Sequence, residues 1–137
     1  MARIVTFADG FTSSSAPSVS GAQQEIYPLL NNQSTTPVAG LIFASSGVKS
    51  FFASFELERL GTISYRQTGQ MQASFNGTWT LTFGNYSGDS IIDDTLSATK
   101  SIVLTIDATT GQLSYSSGNL AGHTASNLRI VITRIEV

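Results

Sequence analysis

The chain has 137 residues and a formal net charge of −2, and these values already exclude several classes of protein. The length suits one domain with a single core and is too short for two independent cores. The seven basic residues are scattered, so the chain lacks the basic patch that nucleic-acid phosphates require. With no cysteine, it has neither disulfides nor thiolate ligands for a metal. We therefore expect no nucleic acid among its partners.

Hydroxyl side chains take the place of charges on the expected surface. Serine and threonine together account for 36 of the 137 residues, whereas charged residues make up only 12%. Threonine suits a half-buried β-sheet face, and exposed helices depend on charged residues and alanine. No run of apolar residues follows the first ten residues, so we expect neither a signal peptide nor contact with a membrane. The composition favours a β-protein.

The N-terminal segment reads as an extended arm that precedes the domain. A short strand pattern at Arg3 to Phe7 is followed by Asp9 to Gly21, which contains six Ser or Thr residues, two Gly and one Pro. Such a segment has almost nothing to bury by itself. We therefore divide the chain into an arm at residues 1–21 and a β-sandwich domain at residues 22–137, and expect the arm to pack on its own domain or on a neighbouring subunit.

Alternation of apolar and polar residues predicts the first strands of the domain. In Phe51 to Leu57, aromatic and aliphatic side chains alternate with Ser and Glu, which is the period of a half-buried strand. Weaker patterns of the same kind occur at Gln24 to Leu30, Leu41 to Ala44 and Ile63 to Gln67. Each of these segments is predicted as a separate strand.

Two β-hairpins follow. Alternating residues on both sides of Asn76-Gly77, a dipeptide typical of two-residue turns, predict a hairpin over Gln70 to Asn85. Ile102 to Ile106 and Leu113 to Tyr115 flank the turn sequence Asp107 to Gly111, whose glycine should fix the register of the second hairpin.

The last strand is predicted at Leu128 to Ile132, ending near Ile135, and little helix is expected. The best helical window, Asp93 to Lys100, is short and rich in Ser and Thr. Frequent glycine-containing turns then predict a single-domain antiparallel β-sandwich or jelly-roll-like barrel of about eight to ten strands. The predicted core comprises Phe51, Phe55, Leu57, Met71, Phe75, Trp79, Leu81, Phe83, Ile102, Leu104, Ile106, Leu128, Ile130 and Ile132.

Residues suited to catalysis are scarce. His123 is the only histidine, and no Gly-x-Ser-x-Gly sequence raises a serine as a nucleophile for it, so a hydrolase around His123 is disfavoured against a loop or interface histidine. Glu56 with Glu58 and Asp93 with Asp94 are candidate carboxylate pairs for glycoside hydrolysis, but solvated carboxylates are the favoured interpretation. We therefore predict no enzyme activity, no catalytic residue and no cofactor.

Two binding sites are weighed against plainer interpretations. Asp89, Asp93 and Asp94 supply oxygens for a surface Ca²⁺ site, but their spacing matches no EF-hand loop and we assign no metal. Tyr65, Tyr86 and Tyr115, together with Asp89, lie near predicted turns, where exposed tyrosines can stack on sugars. This is the alternative hypothesis, a glycan-binding or host-receptor-binding module, although tyrosines at a subunit interface give the same pattern.

The order of several segments over residues 50–137 resembles a module of tailed-bacteriophage structural proteins. In that module a Tyr-Asn-Gly hairpin precedes a Gly-Asp turn and a later Gly-Gln-x-x-Tyr-x-Ser-x-Asn segment, and here Phe75 stands where the family often has Tyr. The segments that carry the resemblance are Phe55-Glu-Leu-Glu-Arg59, Tyr65-Arg-Gln-Thr-Gly69, Phe75-Asn-Gly-Thr-Trp79, Tyr86-Ser-Gly-Asp89, Gly111-Gln-Leu-Ser-Tyr-Ser-Ser-Gly-Asn-Leu120 and Gly122-His-Thr.

The resemblance implies a component of the virion: a capsid-decorating (cement) protein, a fibre module or a tail subunit. Proteins of this kind are small β-sandwich oligomers, so the resemblance implies a homo-oligomer, with three subunits expected. It also implies partners among other virion proteins, such as the major capsid or tail protein. We expect the arm at residues 1–21 to mediate that attachment.

Overall fold

The computed structural model describes residues 23–137, and the predicted arm and the strand at Arg3 to Phe7 lie outside them. The described residues form eight β-strands and no helix. The strands are β1 (Gln24–Pro28), β2 (Gln33–Ile42), β3 (Val48–Leu60), β4 (Tyr65–Phe75), β5 (Trp79–Gly88), β6 (Ile102–Ile106), β7 (Gln112–Ser117) and β8 (Ala125–Glu136). Within the same part of the chain, no helix has the length and apolar character needed to cross a membrane.

The strands form two antiparallel sheets that pack face to face. One has five strands in the order β1-β8-β3-β4-β5, and the other has three in the order β2-β7-β6. The predicted all-β fold is confirmed, and of the two architectures predicted it is the sandwich, because the sheets of residues 23–137 do not close into a barrel.

The register of the five-stranded sheet sorts its side chains onto two faces. Strand β3 is central, and Leu57 pairs with Leu128 of β8 and with Gln67 of β4. Phe51, Ala53, Phe55 and Leu57 point inward, whereas Phe52, Ser54 and Glu56 point away from the second sheet, because successive side chains alternate along a strand. We call the side turned away from the three-stranded sheet the outer face.

The core between the sheets contains most of the residues predicted for it. Ten of the fourteen are buried, and the other four, Phe75, Leu81, Phe83 and Ile106, are partly buried against the core. At its centre the rings of Phe43 and Phe51 stack with centroids 3.9 Å apart. Buried residues absent from the prediction include Leu29, Val38, Leu41, Phe43, Ile91, Leu113 and Tyr115.

Two strand predictions are wrong in their bounds. The segment Leu41 to Ala44 is only the end of β2, which begins at Gln33, and the irregular pairing of β2 around Pro37 hides its alternation. The segment Ile63 to Gln67 is not a separate strand, because β4 begins at Tyr65 and runs unbroken to Phe75. The hairpin around Asn76-Gly77 is as predicted, with Gly77 at a φ of +81°.

Candidate functional site

Tyr115 lies in the core instead of on the surface. It belongs to β7, is only 3% exposed, and faces the five-stranded sheet. Its hydroxyl oxygen accepts a hydrogen bond from the backbone N–H of Leu30 at 2.8 Å. The predicted exposure of Tyr115 is therefore wrong: the side chain is an internal packing residue whose polar tip satisfies a backbone donor.

Tyr65 begins β4, and Asp89, which follows the end of β5, hydrogen-bonds to the next residue of β4, Arg66. The ring of Tyr65 is half-buried, and the ammonium of Lys100 lies 4.8 Å from its centroid, which is the arrangement of a cation–π contact. Asp89 is exposed, and its carboxylate accepts a hydrogen bond from the backbone N–H of Arg66 at 2.9 Å. Lys100 thus already covers one face of the Tyr65 ring. The Asp89 carboxylate links the end of β5 to the start of β4.

Tyr86 is the one predicted tyrosine with a widely exposed ring, at 47%. It packs beside Gly69, where a Cβ would lie 2.9 Å from the Tyr86 ring and 2.8 Å from that of Phe55. Glycine at this position lets two aromatic rings approach the backbone of β4. Burial, and secondarily the negative charge of Asp94, raise the pKa of Tyr86. The predicted tyrosines therefore do not form one exposed platform.

Asp93, one of the aspartates considered for Ca²⁺, accepts hydrogen bonds within a turn. The side chain of Asp93 accepts hydrogen bonds from the Thr95 backbone N–H, at 3.1 Å, and from the Ser97 hydroxyl. These bonds hold the pKa of Asp93 below its ordinary value, with the Ser97 hydroxyl as the largest cause. Among residues 23–137, no three His, Asp or Glu side chains converge as metal ligands.

His123 lies within hydrogen-bond distance of a serine, an arrangement that the sequence did not predict. Its Nε2 lies 2.8 Å from the hydroxyl oxygen of Ser126. Ser126 is only 2% exposed, and the same oxygen accepts a hydrogen bond from Nε of Arg59 at 3.1 Å. A nucleophile must reach a substrate, so this buried serine is a structural partner of His123.

Arg59 is the centre of that buried cluster. It is fully buried, and all five of its N–H groups have neutral oxygen acceptors. Burial lowers the pKa of Arg59. The acceptors are Ser126 Oγ, Asn31 Oδ1 and the backbone carbonyls of Thr99, Ser101 and Gly118. The guanidinium of Arg59, a residue of β3, therefore forms hydrogen bonds with three of the loops that connect strands at one end of the sandwich.

The carboxylate pair of β3 belongs to an ion-pair cluster on the outer face. Arg129 Nη1 lies 2.9 Å from Glu58 and 3.3 Å from Glu56, and Arg66 contacts both carboxylates from the other side. The hydrogen bond from Arg129 is the main reason that the pKa of Glu58 is lowered, and a bond from Asn127 adds to it. Glu58 is 6% exposed, so the interpretation of this residue as a solvated carboxylate is wrong.

A shallow groove of about 420 Å³ adjoins this cluster. Its walls carry amide, hydroxyl and charged groups and no exposed aromatic ring. The polar lining side chains are Gln24, Ser54, Glu56, Thr68, Gln70, Asn85 and Arg129. The predicted tyrosines are not among the residues that line it, so the groove and the tyrosine positions are separate features of the molecule.

The far end of the outer face carries two exposed apolar side chains, and no charged side chain lines its depression. Phe52 of β3 is 46% exposed and Ile135 of β8 is 62% exposed, and both line a depression of about 460 Å³. We call these two residues the outer apolar patch. The sequence prediction did not single them out, although Phe52 breaks the alternation of β3 by adding an apolar residue to its polar side.

No family model matches the chain, and no curated protein matches it. Among solved structures, the chain is similar to the tailspike protein of Acinetobacter phage vB_ApiP_P1, with a TM-score of 0.53 and 12% sequence identity. The chain shares its fold with part of a phage tailspike. The match covers 96% of this chain and 28% of the tailspike chain, so the chain spans less than a third of that protein.

The surroundings of His123 lead us to expect that the free energy of unfolding decreases in mild acid. Burial, and then the positive charge of Arg59, lower the pKa of His123 in the folded state. Between that lowered value and the unfolded value of about 6.5, the unfolded chain binds more protons, so stability falls as the pH falls through this window. We expect urea unfolding to show lower stability at pH 5.5 than at pH 7.5.

His123→Gln is the matched control, because His123 is the only histidine of the chain. Carboxylates with lowered pKa, such as Glu58, lose their contribution only as the pH falls below their unfolded value of 4.5, outside this window. The variant should therefore show no stability difference between the two pH values. An equal acid loss in both proteins would contradict the assignment to His123.

Proposed function

We propose that this chain is a non-enzymatic structural protein of a bacteriophage virion, which self-associates and attaches to a larger capsid or tail assembly. The observation that carries the proposal is the fold shared with part of a phage tailspike over nearly the whole chain. The segment pattern over residues 50–137 points to the same class of proteins. We further propose three copies per assembly, with the arm at residues 1–21 as the attachment segment.

The polar character of the outer face supports an assembly role. A face that carries hydroxyl and amide groups in place of unpaired charges is desolvated at low cost when subunits pack together. The outer face meets this condition, because its four charged residues, Glu56, Glu58, Arg66 and Arg129, already pair with one another.

The environment of the only histidine supports a non-enzymatic role. The hydroxyl within hydrogen-bond distance of the His123 ring belongs to Ser126, which is buried and also hydrogen-bonded to Arg59. A hydrolytic site needs a nucleophile, a base and an oxyanion donor that converge on an accessible point. The Ser126 hydroxyl stabilises the interior of the sandwich instead.

The proposal is tested by the mass of the full chain in solution, measured by light scattering over a series of concentrations. We expect a species of about three times the 14.5 kDa mass of one chain, stable on dilution. A different closed oligomer would retain self-association and correct the subunit number. A chain that stays at 14.5 kDa at every concentration up to its solubility limit would contradict self-association.

A further inference from the structure

The outer face of the five-stranded sheet has no covering layer within residues 23–137. The three-stranded sheet packs against the other side, so no other strand of the described residues covers the outer face of β8, β3, β4 and β5. The outer apolar patch lies on adjacent strands, since Phe52 pairs with Thr133 and Ser50 pairs with Ile135. Two large apolar side chains are thus held together on a rigid, exposed sheet.

The surface around the patch is complementary to itself. Only hydroxyl and amide groups supply its polar atoms, and no charged side chain lines the depression. Hydroxyl and amide groups can each donate and accept hydrogen bonds, so a second identical surface supplies matching partners. The polar side chains that line the depression are Ser50, Gln72, Ser74, Thr80, Thr82 and Thr133.

The charges of the outer face do not oppose contact between copies. Glu56 and Glu58 balance Arg66 and Arg129, and the four residues pair within the same copy. A nucleic acid would require a net positive face. A partner selected by charge would require an unpaired charge of one sign, which this group of four does not offer.

The size of the face is sufficient for a specific interface. Four strands spaced about 4.8 Å apart, over roughly nine residues of about 3.3 Å each, give a face of about 19 Å by 30 Å. Contact between two such faces would bury on the order of 1,100 Å² in total, which passes the ~1,000 Å² expected of a biological interface. A few residues that become fully buried in an interface supply most of its binding energy.

We infer that the outer face of β8, β3, β4 and β5 is the surface on which another copy of this chain docks, with Phe52 and Ile135 at the contact. The inference rests on the proposed self-association and adds a surface for it. Because the same face meets itself, the contact is isologous and joins copies in pairs across a twofold axis, with the two Phe52 side chains near that axis. In an assembly of three copies, this contact joins one trimer to another. The apolar patch is then removed from water, and the surrounding hydroxyl and amide groups form its polar rim.

The test is sedimentation of the full chain and of Phe52→Lys over a series of concentrations. An ammonium group at the contact must lose its hydration without a carboxylate partner, so the dissociation constant should rise about 30-fold or more. The control is Ile63→Lys, which adds the same charge at a residue that is 61% exposed in the β3–β4 connection. Ile63→Lys should sediment like the original chain.

A second variant, Ile135→Lys, keeps the test decisive if Phe52→Lys fails to fold, as judged by circular dichroism. Weakened association in either folded variant, with Ile63→Lys unchanged, supports the outer-face interface. An original chain that self-associates while both face variants associate equally well would overturn the interface and leave the proposed function standing. An original chain that is monomeric throughout would overturn both.

Discussion

Arg59→Ala should lower the free energy of unfolding by about 4 kcal/mol, because it leaves several buried oxygens without donors in a cavity. For a chain of this length, that loss corresponds to a melting temperature lower by roughly 15 °C. The side chain is fully buried and donates hydrogen bonds to oxygens of the connections that precede β2, β6 and β8. Thermal unfolding followed by circular dichroism measures the effect.

Two further variants separate geometry from charge. Arg59→Lys keeps the positive charge but has three donors instead of five and no planar fork, so it should recover less than half of the loss. Arg66→Ala is the matched control, because that arginine side chain is 58% exposed and Glu58 keeps Arg129 as a partner; it should cost about 1 kcal/mol or less. Equal melting temperatures for Arg59→Ala and Arg66→Ala would contradict the structural role of Arg59.

Gly111→Ala should destabilise the sandwich by about 2–5 kcal/mol, through backbone strain of about 1–2 and overpacking of about 1–3. Gly111 has a φ of +77°, and an added Cβ would lie 2.0 Å from the carbonyl oxygen of Phe43. The carbonyl of Gly111 also accepts a hydrogen bond from the Phe43 N–H at 2.9 Å. The two segments of the chain therefore cannot move apart without losing this bond. Chemical denaturation provides the measurement.

Gly77→Ala provides the matched comparison. Its φ is +81°, nearly the same, but nothing lies within 4 Å of the added Cβ. Only the backbone strain of about 1–2 kcal/mol should remain. A similar loss of unfolding free energy in both variants would show that the close approach to Phe43 does not contribute to the loss.

The hairpins were predictable because their signals are local. Asn76-Gly77 supplies a positive φ at the turn, and the alternation on either side selects the buried face of β4 and β5. The same reasoning located the turn before Gly111, since glycine adopts a positive φ without steric cost. The ends of β2 were missed because Pro37 and the adjacent irregular pairing interrupt its period.

The candidate site was less predictable, because exposure depends on residues distant in the chain. Tyr115 alternates with serines and reads as half-exposed, yet it is buried and hydrogen-bonded to Leu30, 85 residues away. Glu58 reads as a solvent-facing strand residue, yet Arg129 and Asn127 close over it from β8. Strand alternation gives the face on which a side chain lies but not what covers that face.

The sequence by itself determined the all-β class, the hairpins and most of the core, because hydrophobic periodicity and turn chemistry act over a few residues. Only the tertiary structure decided the burial of Arg59 and its contact with Ser126, and which sheet face remained uncovered. These features depend on the order of strands in the sheets, which brings residues distant in the chain together. A single buried arginine and an exposed Phe52 carry no local signal that distinguishes them from other residues of their type.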